Sequence, residues 1–169
     1  MLTKKMEKSI NQQINREIFS AYLYLGMASF AQSEGLKGIA NWFNVQVQEE
    51  LSHAQLMYNY VNQQGGRVIL GAIETPEQNF KLPLDLFKKT LAHEKIVTGL
   101  INDLVDIAKN EKDHATEIFL QWFVTEQVEE ESNATDIIQK FKLMGSEGNS
   151  LFMIDTELGT RVFTPPVIK

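Results

Sequence analysis

Proline and glycine are nearly absent from four long stretches of this chain, roughly residues 5–34, 37–64, 83–110 and 113–144. These two residues are the strongest breakers of an α-helix, so their scarcity leaves long helices open to the chain. Each stretch is rich in Leu, Ala, Glu, Gln and Lys, and its apolar residues recur every third or fourth position. That spacing collects them on one helical face. Four long amphipathic helices within 169 residues can bury their stripes most simply against one another, so the expected class is all-α, a four-helix bundle around one core. A hydrophobic content of 43% with 22% charged residues suits a globular chain. No apolar run approaches the ~18 residues that cross a bilayer.

The breaks between the stretches predict how the helices connect. Ser33-Glu34-Gly35-Leu36-Lys37-Gly38 is a short glycine-bearing turn, so the first two helices are expected to form an antiparallel hairpin. Lys109-Asn110-Glu111-Lys112-Asp113 is a second tight turn, with Asp113 the expected N-cap of the fourth helix. Between helices two and three, Gly65-Gly66 ends a helix, Arg67-Val68-Ile69-Leu70 reads as extended, and Pro76 and Pro83 bracket the rest. At ~3.3 Å per residue this connector can run the full length of a bundle. It reads as the long crossover of an up-up-down-down type of bundle. The whole chain, 1–169, is expected to be one domain: a bundle over about 5–144, a short fifth helix over about 149–158 and an extended tail over 160–169. The fifth helix, with Leu151, Phe152, Met153, Ile154 and Leu158, is too apolar to stay solvated and too short to stand alone. It is expected to dock on the bundle or on a neighbouring subunit.

The four apolar seams share one anomaly. They read Ile10, Ile14, Glu17, Ala21, Tyr24, Ala28; then Ile39, Phe43, Gln46, Glu50, His53, Met57, Tyr60; then Phe87, Leu91, Glu94, Thr98, Ile101, Val105; and Leu120, Phe123, Gln127, Glu130, Ala134, Ile137, Phe141. All are apolar at their ends and polar near their middles. Glu17 lies 18 residues before Gly35 and His53 lies 18 after it; Glu94 lies 18 before Lys112 and Glu130 lies 18 after it. At ~1.5 Å per residue each sits about 27 Å from its turn, near mid-helix. The polar residues therefore meet in one layer whichever way the hairpins are oriented. No Lys or Arg occupies a seam near that layer, and converging carboxylates without a cation repel and are costly to desolvate. A pair of divalent metal ions removes the difficulty, and carboxylates with one imidazole suit iron or manganese better than copper or a closed zinc site. The absence of cysteine excludes disulfides, thiolate sites and iron–sulfur ligation. The net charge of −6 disfavours nucleic acid as a partner.

The chain resembles bacterial and archaeal non-haem ferritins over essentially its whole length. The resemblance is carried by Gln12-Gln13-Ile14-Asn15-Arg16-Glu17, Ala21-Tyr22-Leu23-Tyr24-Leu25, Gln48-Glu49-Glu50-Leu51-Ser52-His53-Ala54, Phe119-Leu120-Gln121-Trp122-Phe123 and Glu126-Gln127-Val128-Glu129-Glu130-Glu131. It implies a ferritin-like four-helix bundle with a long crossover between helices 2 and 3 and a short fifth helix. In such a protein Glu17, Glu50 and His53 hold a first iron, with Glu50 bridging, and Glu94 and Glu130 hold a second. Gln127 stands where bacterioferritins carry a second bridging carboxylate, which implies a labile second iron. Glu49, Glu126 and Glu129 form an outer, third iron site, and Tyr24 hydrogen-bonds or tunes the centre. Bacterioferritins place a haem-ligating Met between the Glu and His of the motif; Leu51 and Ser52 stand there instead, so no haem is expected. Trp122 is read as core packing, and His93 and His114, off the seams, as surface or capping residues.

The implied activity is a ferroxidase, in which Fe²⁺ is oxidised by O₂ or hydrogen peroxide at the carboxylate layer and Fe³⁺ passes to a mineral store. Storage requires a cavity, and the resemblance implies a hollow homo-oligomeric cage of 24 copies with the fifth helix at a symmetry axis. The first residues run straight into a helical pattern with no secretory leader, so the expected compartment is cytoplasmic. Two rival classes are a di-iron redox enzyme that keeps its metals, and a structural helical module indifferent to metal.

Overall fold

The computed structural model describes residues 1–167; the last two positions of the expected tail lie outside the described residues. It contains α1 (Lys4–Ser33), α2 (Lys37–Gln63), α3 (Pro83–Glu111), α4 (His114–Met144) and α5 (Gly148–Leu158), with no strand among the described residues. Local chemistry starts and stops these helices. Thr3 accepts from the Met6 amide and Asp113 from the Thr116 amide, each an N-cap that satisfies a free amide of the first turn. Pro83 opens α3, where its missing N–H costs no bond. Gly35, at φ 78°, makes the left-handed turn between α1 and α2.

The helices run up, down, down, up, which corrects the up-up-down-down expectation. Thr3 at the start of α1 bonds Glu111 at the end of α3, while Met27 near the other end of α1 accepts from Thr90 early in α3, so α1 and α3 are antiparallel. Since α2 is antiparallel to α1 through a three-residue turn, α2 and α3 are parallel. A short hairpin followed by one crossover can give only this order. The crossover does traverse the bundle, alongside α1. Asn11 and Asn15, one turn apart, hold it: Asn11 donates to the Arg67 carbonyl and accepts from the Ile69 amide, and Asn15 does the same with the Ala72 carbonyl and Gly71 amide. Farther on, Phe80 packs against Phe30 near the other end of α1.

The core is divided. One apolar cluster gathers Met27, Phe43, Phe87, Ile137 and Phe141 with Ile154 and Leu158 of α5. The other gathers Met6, Ile10, Met57, Ile101, Leu104 and Leu120. Between them lie the buried polar residues of mid-helix. The fifth helix docks on the bundle through a backbone approach at Gly38, where a Cβ would fall 1.6 Å from the Asp155 carbonyl oxygen. Only glycine admits that contact. The N-cap position of α2, Leu36, offers no side-chain oxygen, and Asp155 supplies one from α5 by accepting from the Ile39 amide at 2.8 Å. Among the described residues no helix is long and apolar enough to cross a membrane.

A candidate dinuclear metal centre

Mid-bundle, α1 contributes Glu17, α2 Glu50 and His53, α3 Glu94, and α4 Gln127 and Glu130, each at most 5% exposed. Their burial follows from periodicity: each occupies the inward position of a seam whose flanking turns are apolar. Glu17, Glu50 and His53 each offer one ligand atom within 4.8 Å of the others. His53 Nδ1 faces both acids, 3.9 Å from Glu17 Oε2 and 3.7 Å from Glu50 Oε2, while its Nε2 points the other way, 3.9 Å from Glu126 Oε1. The imidazole thus stands between an inner group and an outer one.

Three of the four inner carboxylates accept a hydrogen bond from a neighbouring side chain. Gln13 donates to Glu17 at 2.7 Å and Gln46 to Glu130 at 2.9 Å. The Tyr24 hydroxyl donates to Glu94 Oε1, and Gln127 Nε2 donates to Glu94 Oε2 at 3.1 Å. Gln127 also reaches Thr98 Oγ1, whose hydroxyl donates to Glu131. Trp122 and Phe123 set their rings edge-on to His53, with centroids 5.5 and 6.0 Å away. Trp122 packs against the second apolar cluster, as a core residue would, and also meets the imidazole edge-on.

Electrostatics expose the cost of this layer. Burial pushes the Glu17, Glu50 and Glu130 carboxyls above the ordinary range, Glu50 and Glu130 well above it. For Glu50 the next causes are the charges of Glu94, Glu17 and Glu130. A proton shared between Glu50 and Glu17 lowers the second while raising the first. Glu94 is raised to about 7 by burial, against the opposing bonds from Tyr24 and Gln127. Burial lowers His53 to about 4, so at neutral pH it is an uncharged ligand with a free lone pair. Among the described residues no Lys or Arg is buried in the layer, and Gln46 Oε1 is a buried acceptor with no donor. A layer short of donors and positive charge, built from oxygen ligands and one imidazole, fits cations of the hard-to-borderline class. Ionised, its four carboxylates match the charge of two divalent ions.

Just outside lies a cavity of about 420 Å³, lined by Glu49, Glu126, Glu129 and His53 on one side and Arg161, Val162 and Thr164 to Pro166 on the other. Glu126 is raised to about 7 by burial and then by Glu129 and Glu49. Glu49 pairs with Arg161 at 2.6 Å. Three residues around the site have roles that the sequence reading does not assign: Gln13, Gln46 and Arg161. Gln13 stands four residues before Glu17 on the same helix, a local signal that could have found it, whereas Gln46 reaches across to Glu130 on α4, which no local spacing encodes. Arg161 carries no such signal, since only docking of α5 brings it near Glu49. His93, expected as a surface or capping residue, is half-buried, its Nε2 2.7 Å from Ser20 Oγ and its ring edge-on to Tyr24. His114 is exposed.

A helical bundle with one long crossover and inward carboxylates flanking a Glu-x-x-His pair is the architecture of ferritin-like carboxylate proteins. The family model of the ferritin-like domain matches residues 7–144, and the chain belongs to the ferritin family. It is 39% identical over 163 residues to a bacterial non-heme ferritin of Staphylococcus aureus, covering 96% of this chain and 98% of that one. To the bacterial non-heme ferritin of Campylobacter jejuni it is 42% identical over 155 residues, covering 92% and 93%. A closed form of the Archaeoglobus fulgidus ferritin engineered by site-directed mutagenesis superposes with a TM-score of 0.95 at 50% identity, over 97% of this chain and 100% of that one. The open-pore ferritin of the same archaeon superposes at 0.94 with 49% identity, over 96% and 100%.

Proposed function

We propose that this chain is the subunit of an iron-storage ferritin and a ferroxidase: it oxidises Fe²⁺ at an intrasubunit dinuclear centre and delivers Fe³⁺ to a mineral inside a homo-oligomeric cage of 24 copies. The observation that carries the reading is the convergence of Glu17, Glu50 and His53, with Glu94 and Glu130, in a buried layer that holds no Lys or Arg among the described residues. Iron is the substrate. Glu17, Glu50 and His53 would hold one ion and Glu94 and Glu130 the other, with Glu50 between them.

The protein's part is to place two ferrous ions side by side, so that two electrons leave in one encounter. O₂ takes them with two protons and leaves as hydrogen peroxide; if hydrogen peroxide is the oxidant, the same two electrons and two protons yield two waters. Carboxyl groups that carry protons when metal-free give them up as iron binds. Gln13, Gln46 and Gln127 orient the acids without adding charge. The amide of Gln127 leaves the second ion with one carboxylate fewer, which favours release of the ferric product over retention. Tyr24 holds Glu94 from the opposite side. Glu49, Glu126 and Glu129 would take iron on its way out of the centre.

Aerobic addition of Fe²⁺ at many equivalents per subunit, followed by size-exclusion chromatography, tests the reading. Storage is expected to give a large particle in which iron and protein elute together. Iron left free or precipitated after rapid oxidation would indicate a di-iron enzyme that keeps its metals, and oxidation no faster than in buffer would end the iron reading altogether.

A further inference from the structure

The outer cavity has a wall that the inner layer lacks, namely the strap that follows α5. Arg161 on that strap donates from Nη2 to Glu49 Oε2 at 2.6 Å and from Nη1 to the Trp42 carbonyl at 3.4 Å. Its guanidinium carbon lies 4.5 Å from the centre of the Trp42 ring. The strap itself is pinned to α2: Asn41 donates to the Arg161 carbonyl at 2.9 Å and to the Gly159 carbonyl at 3.4 Å. Facing it across the cavity are Glu126, Glu129 and His53, the last almost fully buried with Nε2 beyond hydrogen-bond distance of Glu126. A fixed cation therefore already sits on Glu49, while among the described residues no Lys or Arg pairs with Glu126 or Glu129.

We propose that Arg161 is the resident counter-ion of the outer acidic cluster, and that a metal ion takes Glu49 only as the guanidinium swings off it. The strap 159–166 thereby sets how readily the cluster gains and loses iron. The inference rests on the reading of Glu49, Glu126 and Glu129 as an outer iron site. The physical reason is competition. A guanidinium and a divalent ion cannot share one carboxylate closely without repulsion, which is weakly screened in a half-buried cavity. Trp42 gives the departing side chain an apolar, polarisable surface to rest against. The inner layer has no such competitor and is expected to fill first; the outer cluster fills afterwards, at the expense of an ion pair. Arg161 is a positioning residue here, since it touches Glu49 and not the inner centre.

Calorimetric titration of the assembled, metal-free protein with Zn²⁺, a redox-silent probe, separates the outcomes. Wild type is expected to show two tighter equivalents per subunit and a weaker third. Arg161→Gln is expected to tighten the third by ~10-fold and leave the first two unchanged. Arg161→Lys, which keeps the charge, is expected to stay near wild type. Hydrogen exchange measured in wild type is expected to quicken across 159–164 at the third equivalent, as the strap loosens. An unchanged third affinity in Arg161→Gln, or a strap whose exchange ignores the third ion, overturns the inference while leaving the outer site standing. A third equivalent absent from wild type and variant alike removes the outer site, and the counter-ion role with it. Should Arg161→Gln fail to assemble, the wild-type exchange measurement alone decides.

Discussion

Gln127 and Glu50 show how much one side chain decides in this layer. Gln127 turns its amide nitrogen to Glu94, so replacing it by Glu exchanges a donor for a fifth buried acid. The metal-free Gln127→Glu protein is expected to melt several degrees lower, on the order of 2 kcal/mol, because an unpaired charge is added to a desolvated cluster. Metal reverses the sign. With two divalent ions bound, the added carboxylate is expected to tighten the second site and slow turnover of the ferric product. Calorimetry with Zn²⁺ and repeated-addition oxidation assays read the two effects. After burial, the charges of Glu94, Glu17 and Glu130 all act to raise Glu50. Glu50→Ala and His53→Ala are therefore expected to slow the first oxidation phase most, by ~10-fold or more, while Glu130→Ala chiefly weakens the second metal. Equal losses in stopped-flow traces of all three variants would contradict an asymmetric centre.

Among the elements, α5 has an influence out of proportion to its 11 residues. It closes one apolar cluster with Ile154 and Leu158, and Asp155 caps the start of α2 from a distance of 116 positions in the sequence. The capping aspartate ties the helix that carries Glu49, Glu50 and His53 to the strap that carries Arg161. Asp155→Ala is expected to cost about 1 kcal/mol, the loss of an N-cap, seen as a lower midpoint in denaturant. It should also speed hydrogen exchange in both 37–41 and 159–164. Gly38 sets a harder limit, because any side chain there meets the Asp155 carbonyl oxygen and forces α5 away.

At the scale of the whole molecule, the carboxylate layer makes stability depend on pH and metal together. Glu94 titrates near 7 in the folded chain and near 4.5 when unfolded. The folded state therefore holds a proton that the unfolded state gives up. Such a group's stabilisation is complete below pH 4.5 and is lost as pH rises through about 7. Glu17, Glu50 and Glu130 are shifted in the same direction. His53 and His93, lowered to about 4 from 6.5, act oppositely, losing stability as pH falls below 6.5. The acids outnumber the histidines, so the metal-free protein is expected to melt at progressively lower temperature from pH 5 to pH 8. Divalent metal should restore the midpoint, and more so at pH 8 than at pH 5, since binding to the native layer alone stabilises it. Thermal scans with chelator and with Zn²⁺ across that range check both signs.

What could be read from residues alone was whatever depends on helical period. A face repeats every 3.6 residues regardless of its partner, so the seams through Glu17, Glu50, Glu94 and Glu130 were legible, as was the mid-helix height at which their acids lie. Asp113 as a cap and Gly35 as a turn were equally local. The direction of the third helix, the asparagine clasp on the crossover and the amides of Gln46 and Gln127 on Glu130 and Glu94 depended on which faces meet, and no single helix encodes that. Arg161 is the clearest case. Its partner Glu49 is 112 residues away, brought near only because a glycine in α2 lets the backbone of α5 come into contact. Periodicity determined that acids would be buried in one layer; packing between distant backbones decided which neighbours hold those acids and which cation faces them from outside.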